Sequence, residues 1–131
     1  MSLWQLPFGI HVITETLAAA SFILRPETQL ATPDAETKLV LQLLGGLLLT
    51  TNLIAIAIAT RHVFDETSRL VAAAFTFWHL WPSYRAYARL TGPATASGAK
   101  TRSTLGGPLS HLSAHVLLVA MFAGVLWYQG P

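Results

Sequence analysis

Apolar residues in this chain gather into four long blocks separated by short polar stretches, with none of the regular alternation a water-facing helix needs. The first runs from about Pro7 to Leu24 and stops at Arg25-Pro26; the second covers 39–60 and the fourth 109–128. The third is less regular. It begins with the polar RHVFDETSR, becomes apolar from Leu70 to Trp81 and continues amphipathically to about Leu90. Each block is of the roughly 17–25 residues that cross a bilayer as a helix. The pattern predicts an all-α membrane protein: one domain over 1–131, a four-transmembrane-helix up-down bundle with spans at about 7–25, 39–60, 65–90 and 109–128. The stretches Arg25–Lys38 and GPATASGAKTRSTLGGP (92–108) read as loops, and Pro33-Asp34 followed by Glu36 and Thr37 reads as a helix start.

Composition changes the solvent more than the fold. Hydrophobic residues make up 53% of the chain and charged ones 11%, against about 25% charged in a soluble domain. So little polar surface calls for lipid on the outside. A net charge of +2 gives no footprint for nucleic acid, and the lack of cysteine removes disulfides, thiolate catalysis and Cys-ligated zinc. The first block has no basic segment before it and carries Glu15 at its middle, so it is expected to be a helix and not a cleaved signal. Trp127 and Tyr128 have the character of an interfacial anchor.

If the spans alternate, the two long loops share a side with Arg25, Lys38, Arg85, Arg89, Lys100 and Arg102, and Arg61 and Arg69 lie opposite. The excess of cations predicts cytosolic long loops and lumenal termini, in a membrane such as that of the endoplasmic reticulum. Homo-oligomerisation is left open by the pattern.

Ionisable groups inside such spans are expensive and usually functional. Counted from the span centres at ~1.5 Å per residue, Glu15, Asn52, His79 and His115 converge in depth. His11 and Glu15 share a helical face, as do Gly45 and Asn52, and His79 shares one with Asp65, Arg69, Thr76 and Ser83. One polar stripe per helix is expected to face the bundle interior. An Ala triplet in each of the first and third blocks, 18–20 and 72–74, sets Glu15 against Arg69 as an expected ion pair. His111 and His115 have metal-pair spacing, but no acid accompanies them in sequence, and neither a metal nor a cofactor is expected. There is no nucleotide-binding loop and no serine elbow.

Pro82 removes the donor to the Trp78 carbonyl and is expected to bend the third helix beside His79, with Trp78 and Trp81 walling a pocket. A carboxylic acid and an imidazole in a water-poor pocket supply a proton donor and a proton acceptor. That pairing suits isomerisation, cyclisation or hydration of a lipophilic small molecule drawn from the bilayer. A non-catalytic membrane subunit or ligand carrier is the alternative reading of the same stripe.

The size, the four spans, the acid in the first helix and the blocks RHVFDETSRL and FWHLWPSYRAYARL resemble the small integral membrane enzymes of fungal polyketide and meroterpenoid biosynthesis, the epoxide hydrolases and cyclases of the citreoviridin and aurovertin type. The resemblance implies secondary-metabolite chemistry in which water or an internal hydroxyl opens an epoxide. Under it, Glu15 and His79 share the acid and base roles, with Asp65 as alternative base. Asn52 and Arg69 orient oxygen atoms, and His11, Trp78, Trp81 and His115 complete the substrate site.

Overall fold

The computed structural model describes residues 2–30, 32–92 and 107–129. Four helices account for nearly all of them: α1 (Leu6–Leu24), α2 (Ala35–Ala59), α3 (Glu66–Thr91) and α4 (Gly107–Tyr128). The loop expected at 92–108, with Lys100 and Arg102, lies outside the described residues apart from its ends.

Local chemistry sets the boundaries. Asp34 caps α2 by accepting from the Thr37 N–H at 2.7 Å, which starts the helix four residues before its apolar run. Asp65 caps α3 in the same way, accepting from both the N–H and the hydroxyl of Ser68 at 3.0 Å. Gln5 Nε2 donates at 2.9 Å to the carbonyls of Ala59 and Arg61, tying the start of α1 to the open end of α2. Helix α3 continues through Pro82 to Thr91.

α1 packs chiefly on α2, and α3 chiefly on α4; α1 also touches α4. Two hairpins therefore close on one another. The α1–α2 approach is tight because position 45 is glycine: a Cβ there would lie 2.6 Å from Ile23 Cγ1 and 3.2 Å from the Ala19 carbonyl oxygen. Between the hairpins the interior changes along the helix axes. At the end near Trp4, an apolar plug joins Phe8, Phe75, Phe122, Leu118, Ala55 and Ile58, with Phe8 and Phe122 edge-to-face at 5.0 Å between centroids. A layer of histidines and Glu15 follows, and beyond it the hairpins part around a cavity.

The outer surface is apolar. Leu39, Leu43 and Leu53 are more than 60% exposed, while His11 and His79 are 0% and Glu15 is 2% exposed. This inversion, with imidazoles inside and leucines outside, suits lipid as the surrounding medium. α1, α2 and α4 are each long and apolar enough to cross a membrane. α3 is not in that set: the stretch between its charged ends is less apolar, carrying His79, Pro82, Ser83 and Tyr84.

Candidate functional site

α1 and α3 run in the same direction with α4 antiparallel to them, so residues far apart in sequence meet at one depth. His11 and Glu15, one turn apart on α1, face His79 of α3 and His115 of α4. The His11 Nδ1 and His79 Nε2 atoms are 3.0 Å apart. His79 Nδ1 is 3.0 Å from His115 Nδ1, and His11 Nε2 is 3.3 Å from Thr51 Oγ1.

The protons along this chain can be placed from one end. Thr51 donates its hydroxyl proton to the Leu48 carbonyl at 2.8 Å, so its oxygen accepts from His11 Nε2–H. His11 Nδ1 then carries a lone pair and accepts from His79 Nε2–H. His79 Nδ1 in turn accepts from His115 Nδ1–H. The sequence of single donors and acceptors leaves the lone pair of His115 on Nε2. Aromatic rings fix the planes: His11 stacks on Phe75 at 4.4 Å, and His79 lies parallel to Phe122 at 6.0 Å.

Glu15 stands beside the chain without joining it. Its Oε1 is 3.7 Å from His79 Nδ1 and 3.8 Å from His115 Nδ1, too long for hydrogen bonds. The oxygen is buried and has no hydrogen-bond partner among the described residues. Glu15 and His115 form the inner end of a cavity of about 570 Å³, whose apolar walls include Phe22, Leu48, Trp78 and Trp81. That volume is in the range of small-molecule sites, ~300–1,000 Å³. The Trp78 indole N–H is a second buried polar group with no partner.

Of the residues the sequence singled out, Glu15, His115, Trp78 and Trp81 line the cavity. His11 and His79 do not: they sit behind His115, where they position its ring. Asn52 does not line the cavity either. It is buried between helices, donating from Nδ2 to Thr16 Oγ1 at 2.9 Å. The two charged residues at the start of α3 are displaced altogether. Arg69 is surface-exposed and paired with Glu66 at 2.9 Å, roughly 15 Å along α3 from His79; it makes no pair with Glu15. Asp65 is the half-buried cap of α3 and bonds Arg61; it lies roughly 21 Å from His79 along the helix and does not line the cavity. The Ala-triplet register failed because Trp4 and Phe8 at the start of α1 pack in one core cluster with Ala72 and Phe75, which leaves the first turn of α3 beyond the end of α1.

Thr51, Arg85 and Arg89 were not singled out as site residues. The arginines had a readable signal: Trp78, Trp81, Arg85 and Arg89 fall at i, i+3, i+7 and i+11, one face of a helix, and all four line the cavity. Thr51 had none, because its role depends on the neighbouring helix.

His11, Glu15 and His79 also offer ligand atoms within 4.8 Å of one another, the one metal-type grouping among the described residues. In the hydrogen-bonded arrangement His11 Nδ1 and His79 Nε2 face each other at 3.0 Å. Compared with family models, curated proteins and solved structures, the chain finds no match.

Proposed function

We propose that this protein is a membrane-embedded acid/base enzyme acting on a lipophilic small molecule, with epoxide opening by water or an internal hydroxyl as its reaction. The observation that carries the reading is the pair at the inner end of the cavity: an acid and an imidazole 3.8 Å apart, both lining an apolar-walled space. A subunit that merely held a partner helix would need no such space.

Glu15 acts as the acid. Arg69 lies elsewhere, and an unpaired buried carboxylate is costly, so the group works in its protonated form. It gives its proton to the epoxide oxygen as the carbon–oxygen bond breaks. His115 Nε2 takes the proton of the attacking water or hydroxyl as the new carbon–oxygen bond forms. Return of one proton from the imidazolium to Glu15 resets both groups, and the net change is addition of water, or of the internal hydroxyl, across the epoxide. His79 and His11 orient the base and spread its charge. The epoxide as electrophile follows the resemblance to fungal membrane epoxide hydrolases and cyclases; the spacing of Glu15 and His115 on the cavity wall supports the proton transfers.

In this reading α3 is the fourth span. The 15 residues from Leu70 to Tyr84 carry no Asp, Glu, Lys or Arg, and the charged residues stand at the two ends of that stretch. The endoplasmic reticulum, with cytosolic long loops and lumenal termini, remains the proposed location.

The test is purified full-length chain in detergent micelles, given an epoxy fatty acid and an epoxy polyene in isotope-labelled water. The expected product carries one labelled oxygen after hydrolysis, or is an unlabelled cyclic ether after internal attack. Glu15→Gln should abolish both while eluting as the same folded species. Wild-type turnover by that variant would remove Glu15 from the chemistry. Failure of the wild type to open either compound would overturn the epoxide reading.

A further inference from the structure

The cavity is asymmetric in charge along its length. Its inner end holds Glu15 and His115; its other end, roughly one to three helical turns away, is lined by Arg85 and Arg89 of α3 and His111 of α4. Among the described residues, Glu15 is the one acid on the whole wall. Among the described residues Arg85 forms no ion pair with an acid, and its guanidinium lies over the Phe22 ring, 5.8 Å from the centroid. A cation resting on an aromatic face keeps its N–H donors in the ring plane free to reach sideways. Between the two ends the wall is apolar, with Phe22, Trp81, Pro82 and Ala86.

From this arrangement we infer that the cavity contains an anion subsite built on Arg85 and Arg89, and that the substrate is an amphiphile bearing an anionic oxygen headgroup. The inference rests on the proposed reading for the reacting end and goes beyond it for the other. The headgroup, a carboxylate or an acidic enol, takes the planar donors of Arg85 with Arg89 one turn further out. The apolar body lies along Trp81 and Phe22. Arg85 is six residues from His79, so the reacting carbon sits roughly 9 Å from the headgroup. The subsite therefore fixes which bond of a long chain meets Glu15, and the protein selects by distance from a charge.

Binding of brominated stearic acid and of its methyl ester, read by quenching of tryptophan fluorescence, tests this in zwitterionic phosphatidylcholine nanodiscs at neutral pH. The acid should bind tighter than the ester by at least about tenfold, what one charge-assisted hydrogen bond supplies. Arg85→Gln/Arg89→Gln should bring the two within about twofold while still binding the ester, a control that the cavity is intact. Arg85→Lys should keep part of the preference. Equal affinity of the wild type for acid and ester, or an undiminished preference in the double variant, overturns the subsite. Nanodiscs doped with phosphatidic acid separate the sources of the anion. Bromostearate binding unaffected by the doping supports a substrate headgroup, whereas its displacement assigns the arginines to lipid and overturns the substrate half of the inference. Glu15→Gln should bind the acid like the wild type, so loss of the acid/base reading and loss of the subsite give different results.

Discussion

The Nδ1 atoms of His79 and His115 lie 3.0 Å apart, and one proton serves them both. Its placement on His115 follows from Thr51 at the other end of the chain, whose hydroxyl is committed to the Leu48 carbonyl. His115→Gln is expected to lower kcat for the epoxide probe by about 10²- to 10⁴-fold, the span of general acid–base contributions. Thr51→Val removes the acceptor for His11 Nε2–H and should give a smaller loss, which Thr51→Ser restores. Nitrogen-labelled histidine NMR should find His115 protonated on Nδ1 in the wild type and a mixture of tautomers in Thr51→Val. A single unchanged tautomer in that variant would break the link between the two residues.

Among the described residues the Trp78 indole N–H is buried on the cavity wall with no acceptor, and in the proposed reading a substrate oxygen takes its hydrogen bond. Trp78→Phe keeps an aromatic wall and loses the donor. KM should rise roughly two- to tenfold, the range that a neutral hydrogen bond of 0.5–1.5 kcal/mol covers, with kcat little changed. A fall in kcat with KM constant would instead place Trp78 at the reacting atoms.

Gly45 sets the spacing of the first hairpin. Gly45→Ala puts a Cβ 2.6 Å from Ile23 Cγ1 and 3.2 Å from a backbone oxygen, so neither neighbour can yield cheaply. Overpacking of this kind typically costs ~1–3 kcal/mol. Gly46→Ala meets nothing within 4 Å and should be neutral or mildly stabilising. Thermal unfolding in detergent distinguishes the pair, and equal midpoints would show that α1 and α2 separate without cost.

The four blocks, and the depth at which Glu15, His79 and His115 meet, were legible because each depends only on local hydropathy and a constant helical rise. Azimuth and register were not. Asp65 and Arg69 fall on the His79 face, but that face extends past the end of α1 into solvent, and one-dimensional periodicity does not show where a neighbouring helix starts. His11 and Asn52 were legible as interior, but their partners Thr51 and Thr16 were not, since which side chain an interior polar group meets depends on the neighbouring helix. The charged end of the cavity went unremarked as a site because arginines beside a span read first as interfacial residues.

Outside the spans, the Thr37 donors hold the Asp34 carboxyl below its ordinary value of 3.8. A depressed acid favours the folded state above the ordinary value and loses that contribution as pH falls through the lowered one. An acid melt should therefore weaken the start of α2 only below about pH 3.8. Asp34→Asn, which caps without titrating, should flatten that part of the acid profile. The same slope in both proteins would show that the cap does not titrate with folding.

The aromatic plug of Phe8, Phe75 and Phe122 gives the molecule a blind end. In the proposed reading a substrate enters past Arg89 and Arg85, meets Glu15 and His115 at the closed end and backs out along the same path. Conversion would then be sided. A compound presented from one leaflet is returned to that leaflet after reaction, and the opposite face of the membrane is never supplied. In vesicles with a single protein orientation, substrate sealed in the leaflet nearer the plug should stay unreacted until it flips spontaneously.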